Sequence, residues 1–182
     1  MKFKKNILEK KELERIIKRL ANEVIERNKG CEDLYIVGIH ARGVPLAHRV
    51  AKYVEKFEGN EVTVGSLDIT LYRDDLDHLA HQPVIKDSIL RFDVTGKNIL
   101  LVDDVLNTGR TARAALNALL DYGRPASIQF LVLIDRGHRE LPIQADFVGK
   151  KVPTSKNEAV KVFLEEIDGR DGVSIFEKES AG

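Results

Sequence analysis

The chain has 182 residues and a mass of 20.5 kDa, a size that fits one globular domain. It contains 29 basic and 29 acidic residues, and this formal net charge of zero excludes a polycation that binds nucleic acid or membrane through bulk charge. A single cysteine excludes an intrachain disulfide and a cysteine-rich metal site. The sequence has neither a signal-peptide pattern nor a run of about 18 apolar residues, which predicts a cytoplasmic protein without a membrane partner.

The neutral total hides an uneven distribution of charge. Residues 1–30 contain ten Lys or Arg and five Asp or Glu, a net charge of +5, so the rest of the chain carries −5. Charged surface helices often have such a bias, and this is the simpler interpretation. The alternative is that the first helix forms part of a binding surface for an anionic partner.

The first half of the chain alternates between helix and strand. Residues 7–28 have apolar positions at spacings of three and four, which predicts an amphipathic helix. The apolar run 34–39 predicts a strand that is buried on both faces. A loop over 40–43 leads to a second predicted helix at about 44–57, and another strand is predicted over 61–72.

The second half continues this alternation. Residues 73–93 are polar and lack a clear period, which predicts a lid over a site, because compact domains seldom contain so long a connection otherwise. A buried strand over 99–102, a helix from Thr111 and a strand over 127–134 follow. The alternation predicts an α/β fold with a central, mainly parallel sheet flanked by helices. Short strand-like pieces after residue 140 complete the chain.

The most informative segment is ILLVDDVLNTGRT, residues 99–111. Its strand brings Asp103 and Asp104 to the C-terminal edge of the sheet, where ligands bind in open α/β folds. The turn over 108–111 then enters a helix, and its backbone N–H groups, its two hydroxyls and the positive end of the helix suit a phosphate. The Walker and Rossmann phosphate-binding patterns are absent. The segment therefore predicts a site for a phosphorylated sugar, with the acids beside its hydroxyls.

This segment resembles the phosphoribosyl pyrophosphate (PRPP) motif of type I phosphoribosyltransferases, in which two acids follow four apolar residues and T-G-x-T follows three positions later. Four further segments, IERNKG (25–30), DITLYRDDL (68–76), DRGHRELPI (135–143) and GKKVPTSK (149–156), resemble the PyrR family of pyrimidine operon regulators and uracil phosphoribosyltransferases. The resemblance extends over nearly the whole chain.

The resemblance implies the type I phosphoribosyltransferase fold for residues 1–182 as a single domain. It also implies a flexible lid over about 73–93. A small C-terminal hood over the base is expected mainly from residues 140–182.

The resemblance further implies roles for individual residues. Asp103 and Asp104 would face the 2′- and 3′-hydroxyls of the ribose, and Arg42 and Arg73 would contact the pyrophosphate. These four residues are the predicted catalytic residues. The remaining contacts to PRPP or nucleotide would come from two loops, at Ala41, Gly43, Asn107, Thr108, Gly109, Arg110 and Thr111.

The implied reaction converts uracil and PRPP to UMP and pyrophosphate, with Mg²⁺ held mainly by the substrate. Arg136 and Val152 are the predicted base contacts. Type I transferases for 6-oxopurines carry an acid at the position of Asn107, and dedicated uracil transferases typically have proline in place of the second acid, Asp104. Transfer to another base, such as a 6-oxopurine, remains the alternative.

The PyrR family also implies a second role, as a UMP- and UTP-responsive regulator that binds the leader of pyrimidine operon mRNA and promotes attenuation. Such a protein would be a homodimer or a homotetramer. RNA-binding members have histidine at the position of Asn22 and arginine at that of Gln144, so a transferase without RNA regulation is the alternative. The predicted RNA contacts are basic residues of two segments, Arg15, Lys18, Arg19, Arg27 and Arg139.

Overall fold

The structure is a computed structural model that describes residues 1–75 and 87–179. The described part contains eight strands and four helices, with a 3₁₀ turn at Thr70–Tyr72. In chain order they are β1 (Lys2–Glu9), α1 (Lys10–Asn28), β2 (Leu34–Ile39), α2 (Gly43–Glu58), β3 (Thr63–Leu67), β4 (Asn98–Leu106), α3 (Arg110–Leu120), β5 (Ser127–Asp135), β6 (Phe147–Lys151), β7 (Glu158–Phe163), α4 (Glu165–Asp168) and β8 (Gly172–Glu177).

Five parallel strands form the central sheet in the order β3-β2-β4-β5-β6. Side chains alternate between its two faces, as the period of a strand requires. On β4, Leu100 and Val102 pack in the core beneath α1 and α2, whereas Ile99 and Leu101 pack in the core beneath α3. The prediction of an α/β fold with a mainly parallel sheet between helices is confirmed.

Helix α1 begins three residues later than the apolar spacing predicted. A reciprocal capping box fixes its start, since the backbone N–H of Glu9 donates to Glu12 Oε2 at 2.9 Å and the Glu9 side chain accepts from the backbone of Glu12. Residues 2–9 instead form β1, which pairs antiparallel with β8. The prediction of helix at Ile7 and Leu8 was therefore wrong, because pairing with a distant strand determines their conformation.

A second sheet, called the hood here, consists of three antiparallel strands in the order β1-β8-β7. Residues 140–182 supply two of these strands, and the N-terminal β1 supplies the third. The sequence analysis did not anticipate that third strand. The hood therefore joins the two ends of the chain.

The segment between β3 and β4 is described only at its two ends, and residues 76–86 of the predicted lid lie outside the described residues. The predicted strand over 61–72 was too long, because the chain leaves the sheet after Leu67 and forms a 3₁₀ turn. Ile89 returns to form an antiparallel bridge with Ser66 of β3. None of the described helices has the length and apolar character needed to cross a membrane.

Candidate active site

A cleft of about 340 Å³ opens where β2, β3 and β4 end at the C-terminal edge of the central sheet. It brings together six of the residues predicted from the sequence, namely Ala41, Arg42, Arg73, Asp103, Asp104 and Thr111. His40, Asp68, Ile69, Thr70 and Val105 also line it. The position of the cleft is the one expected for a ligand site in an open α/β sheet.

The two acids lie inside β4 rather than after it. The strand is longer than predicted because it pairs with β5 as far as Leu106. Asp103 Oδ1 accepts a hydrogen bond from the N–H of Asp104 at 2.9 Å, and Asp104 Oδ1 accepts one from the N–H of Val105 at 2.8 Å. Asp103 is only 7% exposed. The local backbone therefore fixes both carboxylates at the wall of the cleft.

Burial sets the electrostatics of this pair. It raises the pKa of Asp103 well above that of an ordinary aspartate, and the adjacent charge of Asp104 raises it further. Burial also raises the pKa of Asp104, although the N–H of Val105 and the nearby Arg42 oppose that shift. Two buried carboxylates in sequence favour a ligand that donates hydrogen bonds or brings positive charge, as the hydroxyls of a sugar or a metal ion would.

Arg42 lies at the N-terminus of α2, in the loop that follows β2. Its Nη2 donates to Asp168 Oδ1 at 2.7 Å. Its Nε is buried and has no hydrogen-bond partner within the described residues. An unpaired buried donor costs about 1–3 kcal/mol, so this guanidinium is suited to bind an anion in the cleft.

Gly43, the next residue, is buried where α2 begins. A Cβ at this position would overlap the carbonyl oxygen of Val102 on β4, so only glycine allows the helix to start this close to the strand. Ala41 is exposed on the cleft side of the same loop. Close packing of α2 against β4 thus explains the need for glycine at residue 43. The predicted contact of Gly43 with nucleotide stays a prediction.

Residues 107–109 connect β4 to α3, and together with the first two residues of α3 they form the turn at 107–111. Gly109 has a φ of +91° at the N-cap of α3, and Thr108 Oγ1 accepts from the N–H of Arg110 at 3.2 Å. The Oδ1 atom of Asn107 is buried and unpartnered within the described part of the chain. A second cavity of about 120 Å³ lies over this turn. Backbone N–H groups at the start of an eleven-residue helix, beside this cavity, suit a phosphate group.

The two arginines at the rim are held in exposed ion pairs. Arg110 bonds Glu140 and Asp74, each at 2.7 Å, and Arg73 bonds both carboxylate oxygens of Asp75. Exposed pairs of this kind contribute little free energy of folding. A phosphate or pyrophosphate group can therefore replace these carboxylates at small cost. Arg73 and Arg110 remain able to bind the ligand, and their predicted contacts with it stay predictions.

The two predicted base contacts lie outside the set of residues that line the cleft. The Arg136 guanidinium is buried and donates to Thr154 Oγ1 at 3.1 Å and to the carbonyl of Glu158 at 2.7 Å, so it fixes the loop before β7. The N–H of Val152 donates to the carbonyl of Asp135 at 2.8 Å. Contact of either residue with a base stays a prediction.

Two of the predicted RNA contacts on α1, Arg19 and Arg27, lie beside β6. The Arg19 guanidinium donates to the carbonyl of Gly149, and Arg27 lies 3.5 Å from Asp146. Arg15 is exposed on the solvent side of the same helix. Helix α1 is therefore adjacent to β6, whose last two residues, Lys150 and Lys151, are exposed and basic.

The other two predicted RNA contacts have different surroundings. Lys18 lies toward α2, with its ammonium 6.0 Å from the centroid of the Phe57 ring. Arg139 donates to the carbonyl of Asn107 at 2.8 Å and to Asp135 at 2.6 Å, so it supports the turn at 107–111 from behind. Their contact with RNA stays a prediction.

Several residues at or near the cleft are absent from the sites predicted from the sequence. Asp68 and Thr70 follow β3 at the same edge of the sheet as the acid pair, so the end of that strand was a usable signal. Asp168 is different, because 126 residues separate it from its partner Arg42 and no local pattern marks it.

The described residues contain no group of three or more His, Cys, Asp or Glu side chains arranged to hold a metal ion. The carboxylates of Asp103 and Asp104 are nevertheless hard oxygen donors of the type that Mg²⁺ prefers. The donor set therefore fits a Mg²⁺ ion that takes most of its ligands from substrate and water.

Comparison with known proteins identifies the family. The family model described as "Phosphoribosyl transferase domain" matches residues 4–166. A protein of Thermus aquaticus named "Bifunctional protein PyrR" is 60% identical over 181 residues, which cover 100% of both chains. The chain belongs to the PyrR family of phosphoribosyltransferases. A second PyrR family relative, from Clostridium novyi (strain NT), is 57% identical over 178 residues, 98% of this chain and 100% of that protein.

Solved structures agree at the level of the fold. A hypoxanthine phosphoribosyltransferase from Trypanosoma cruzi has a TM-score of 0.77 at 19% identity, covering 99% of this chain and 98% of that chain. A hypoxanthine-guanine phosphoribosyltransferase from Bacillus anthracis has a TM-score of 0.74 at 19% identity, covering 96% of this chain and 99% of the other. At such low identity these structures confirm the phosphoribosyltransferase fold and carry no argument about the base.

Proposed function

We propose that this chain is a uracil phosphoribosyltransferase that makes UMP and pyrophosphate from uracil and PRPP, and that it also regulates pyrimidine operon transcription by binding RNA in response to UMP or UTP. One observation carries the catalytic half of the proposal. A buried acid pair and a phosphate-binding turn lie on a single strand–turn–helix unit, beside an arginine with an unpaired buried donor. Full-length similarity to bifunctional PyrR proteins supports both halves.

The cleft divides naturally among the parts of PRPP. Asp103 and Asp104 would accept hydrogen bonds from the ribose hydroxyls, and the N–H groups of the turn at 107–111 would bind the 5′-phosphate. The guanidinium of Arg42 would bind the pyrophosphate on the opposite side. This arrangement leaves the anomeric carbon between the pyrophosphate and the incoming base.

The reaction is a displacement at the anomeric carbon with inversion, through a state in which the ribose resembles an oxocarbenium ion. The bond from this carbon to the pyrophosphate oxygen breaks with both electrons, which leave on the pyrophosphate. The bond to N1 of uracil forms, and the N1 proton passes to the released pyrophosphate or to water. Asp103 and Asp104 lie near the developing positive charge, whereas Arg42 and Arg73 stabilise the departing anion. Positioning and electrostatics therefore account for catalysis without a covalent nucleophile.

A bound Mg²⁺ ion would supply positive charge that neutralises part of the charge of the leaving group. Asp103 and Asp104 are the residues of this chain that would hold it, directly or through water.

The regulatory half of the proposal rests on the surface formed by α1 and β6. Arg15, Arg19 and Arg27 lie along it, and Lys150 and Lys151 are exposed nearby. Asn22 and Gln144 are both exposed and uncharged, so two donors expected in RNA-binding members are missing. The proposed partner is the leader of pyrimidine operon mRNA, and the proposed working unit is a cytoplasmic homodimer or homotetramer.

A pyrophosphate-release assay with a panel of bases tests the catalytic half. We expect turnover with uracil and PRPP in the presence of Mg²⁺, and little or none with guanine, hypoxanthine or xanthine. The variant Asp104→Asn keeps the shape of the side chain but removes its charge, so we expect kcat to fall by about 100-fold. Turnover with a purine base alone would assign a different substrate, and full activity of Asp104→Asn would show that the acid pair has another role.

A further inference from the structure

Arg42 is oriented by one residue from the distant end of the chain. Asp168 is the one acceptor for its side chain within residues 1–75 and 87–179, through the bond from Nη2 at 2.7 Å. The remaining N–H groups of the guanidinium have no protein acceptor there, and Nε is buried. A long, flexible side chain with a single anchor adopts whatever direction that anchor imposes.

The anchor is itself rigid. Asp168 Oδ2 accepts from the N–H of Leu164 at 2.9 Å, and the N–H of Asp168 donates to the carbonyl of Leu164 at 2.7 Å. Hydrogen bonds from Leu164 and Arg42 outweigh the effect of burial and lower the pKa of Asp168, so its carboxylate stays charged at neutral pH. The two carboxylate oxygens of Asp168 therefore have different partners. Oδ2 binds the backbone at the start of α4, and Oδ1 binds Arg42.

A second set of ion pairs fastens α4 to α2. Arg49, seven residues after Arg42 along α2, bonds Glu166 through Nε at 2.8 Å and Asp171 through Nη2 at 2.7 Å. Seven residues span two helical turns, so both arginines face α4. Because β7 and β8 flank α4, the hood holds the start of α2 in place.

We propose that Asp168 is a positioning residue, which holds the Arg42 guanidinium at the wall of the cleft with its remaining donors available to the pyrophosphate group of PRPP. The inference rests on the proposed function, because pyrophosphate is the anion that this reaction brings to Arg42. Pre-orientation removes the entropic cost of fixing the arginine when PRPP binds. It also links the hood to the pyrophosphate site through one carboxylate.

The test measures PRPP kinetics and binding in Asp168→Ala and Asp168→Asn. We expect Asp168→Ala to raise the KM for PRPP and the Kd for pyrophosphate with Mg²⁺ about tenfold, as for loss of one charge-assisted hydrogen bond, with no change in the KM for uracil. Asp168→Asn keeps one acceptor oxygen and is expected to show a smaller rise. An unchanged or lower KM for PRPP in both variants would overturn the proposal.

A double-mutant cycle separates positioning from general stability. If Asp168 acts through Arg42, adding Asp168→Ala to Arg42→Ala produces no further rise in the KM for PRPP. Independent, multiplicative effects of the two substitutions would overturn the proposal. The matched control is Asp171→Asn, which removes an acid from the same segment and weakens the pair with Arg49. We expect it to lower the melting temperature and to leave the KM for PRPP unchanged.

Calorimetry of PRPP binding without uracil distinguishes the two levels of the account. If the wild-type protein binds PRPP but forms no UMP from uracil, the proposed function is contradicted. The role of Asp168 is then decided by whether its variants raise the Kd for PRPP. Wild-type protein with full uracil transfer and PRPP binding insensitive to Asp168 contradicts only the positioning role. A wild-type chain that binds neither PRPP nor pyrophosphate overturns both.

Discussion

Asp103 and Asp104 show that the site is maintained at a cost to stability. The carboxylates are adjacent and fixed by neighbouring backbone N–H groups, with Asp103 buried and Asp104 half-buried. Burial and mutual repulsion raise the pKa of Asp103 well above its ordinary value of about 3.9. The folded chain therefore holds the Asp103 proton more tightly than the unfolded chain does. The free energy of unfolding consequently falls as the pH rises from the pKa of Asp103 in the unfolded chain to its raised pKa in the folded chain.

The variant Asp103→Asn is expected to be more stable than the wild type at pH 8, because it lacks the charge whose burial is unfavourable. Each unit of pKa elevation corresponds to about 1.4 kcal/mol. The difference should vanish below about pH 3, where Asp103 is protonated in both folded and unfolded wild-type chains. Thermal denaturation from pH 3 to pH 8 measures it, and the Asp103→Asn samples should have lost UMP formation. A lower melting temperature for Asp103→Asn at pH 8 would contradict this assignment.

Among single residues, the sequence predicted those site residues that belong to one continuous motif. Asp103, Asp104 and Thr111 share one segment of 13 residues, and all three line the cleft. Asp168 lies far away in sequence, and its relation to Arg42 exists only once the hood has folded. Ion pairs between distant elements leave no local period or motif, so sequence reasoning had no means to find this one.

Helix α1 illustrates the same division at the scale of elements. The spacing of Leu13, Ile17, Leu20 and Val24 predicts a helix, and these residues are buried in the observed α1. The spacing also includes apolar residues of β1, because it cannot distinguish a buried helix face from a strand that pairs elsewhere. Strand β6 escaped notice for a related reason. It is a five-residue edge strand ending in two exposed lysines, so it lacks the apolar run of a central strand.

The packing of α1 against β6 leads to a prediction about RNA. Arg15 is exposed on the solvent face of α1, whereas Lys18 lies on the flank toward α2. We expect Arg15→Ala to weaken UMP-stimulated binding to a pyr leader RNA and to lower the slope of log K against log salt by about 1. Titrations at several salt concentrations, with and without UMP, measure both quantities.

Lys18→Ala is the matched control for this experiment. It removes the same charge from the same helix, and we expect a smaller loss of leader binding than for Arg15→Ala, because its ammonium lies toward the Phe57 ring of α2. Equal losses in the two variants would show that net charge rather than a defined surface governs binding. No UMP-stimulated binding by the wild type at low salt would contradict the regulatory role.

On the scale of the whole molecule, the chain is neutral but its charges are segregated. The first 30 residues carry a net charge of +5, and α1 places part of it beside the lysines of β6. A substrate with several phosphate charges needs only a local group of donors, which the cleft provides. Binding of RNA, if confined to one face, is compatible with a total charge of zero.

The hood completes this organisation because it is assembled from both ends of the chain. Strand β1 pairs with β8, and α4 between β7 and β8 supplies Asp168 and Glu166, the carboxylates that bind Arg42 and Arg49. The parallel sheet could be predicted from alternating segments, since each strand and helix carries its own pattern. The hood could not be, because it depends on pairing across nearly the full length of the sequence.

A crystal structure of this chain with UMP tests the central claim most directly. The account predicts the 5′-phosphate at the backbone N–H groups of residues 108–111, with the ribose hydroxyls within hydrogen-bond distance of Asp103 and Asp104. It also predicts the pyrimidine ring on the hood side of the cleft. Binding of UMP elsewhere on the chain, or in the cleft with the phosphate away from this turn, would contradict it.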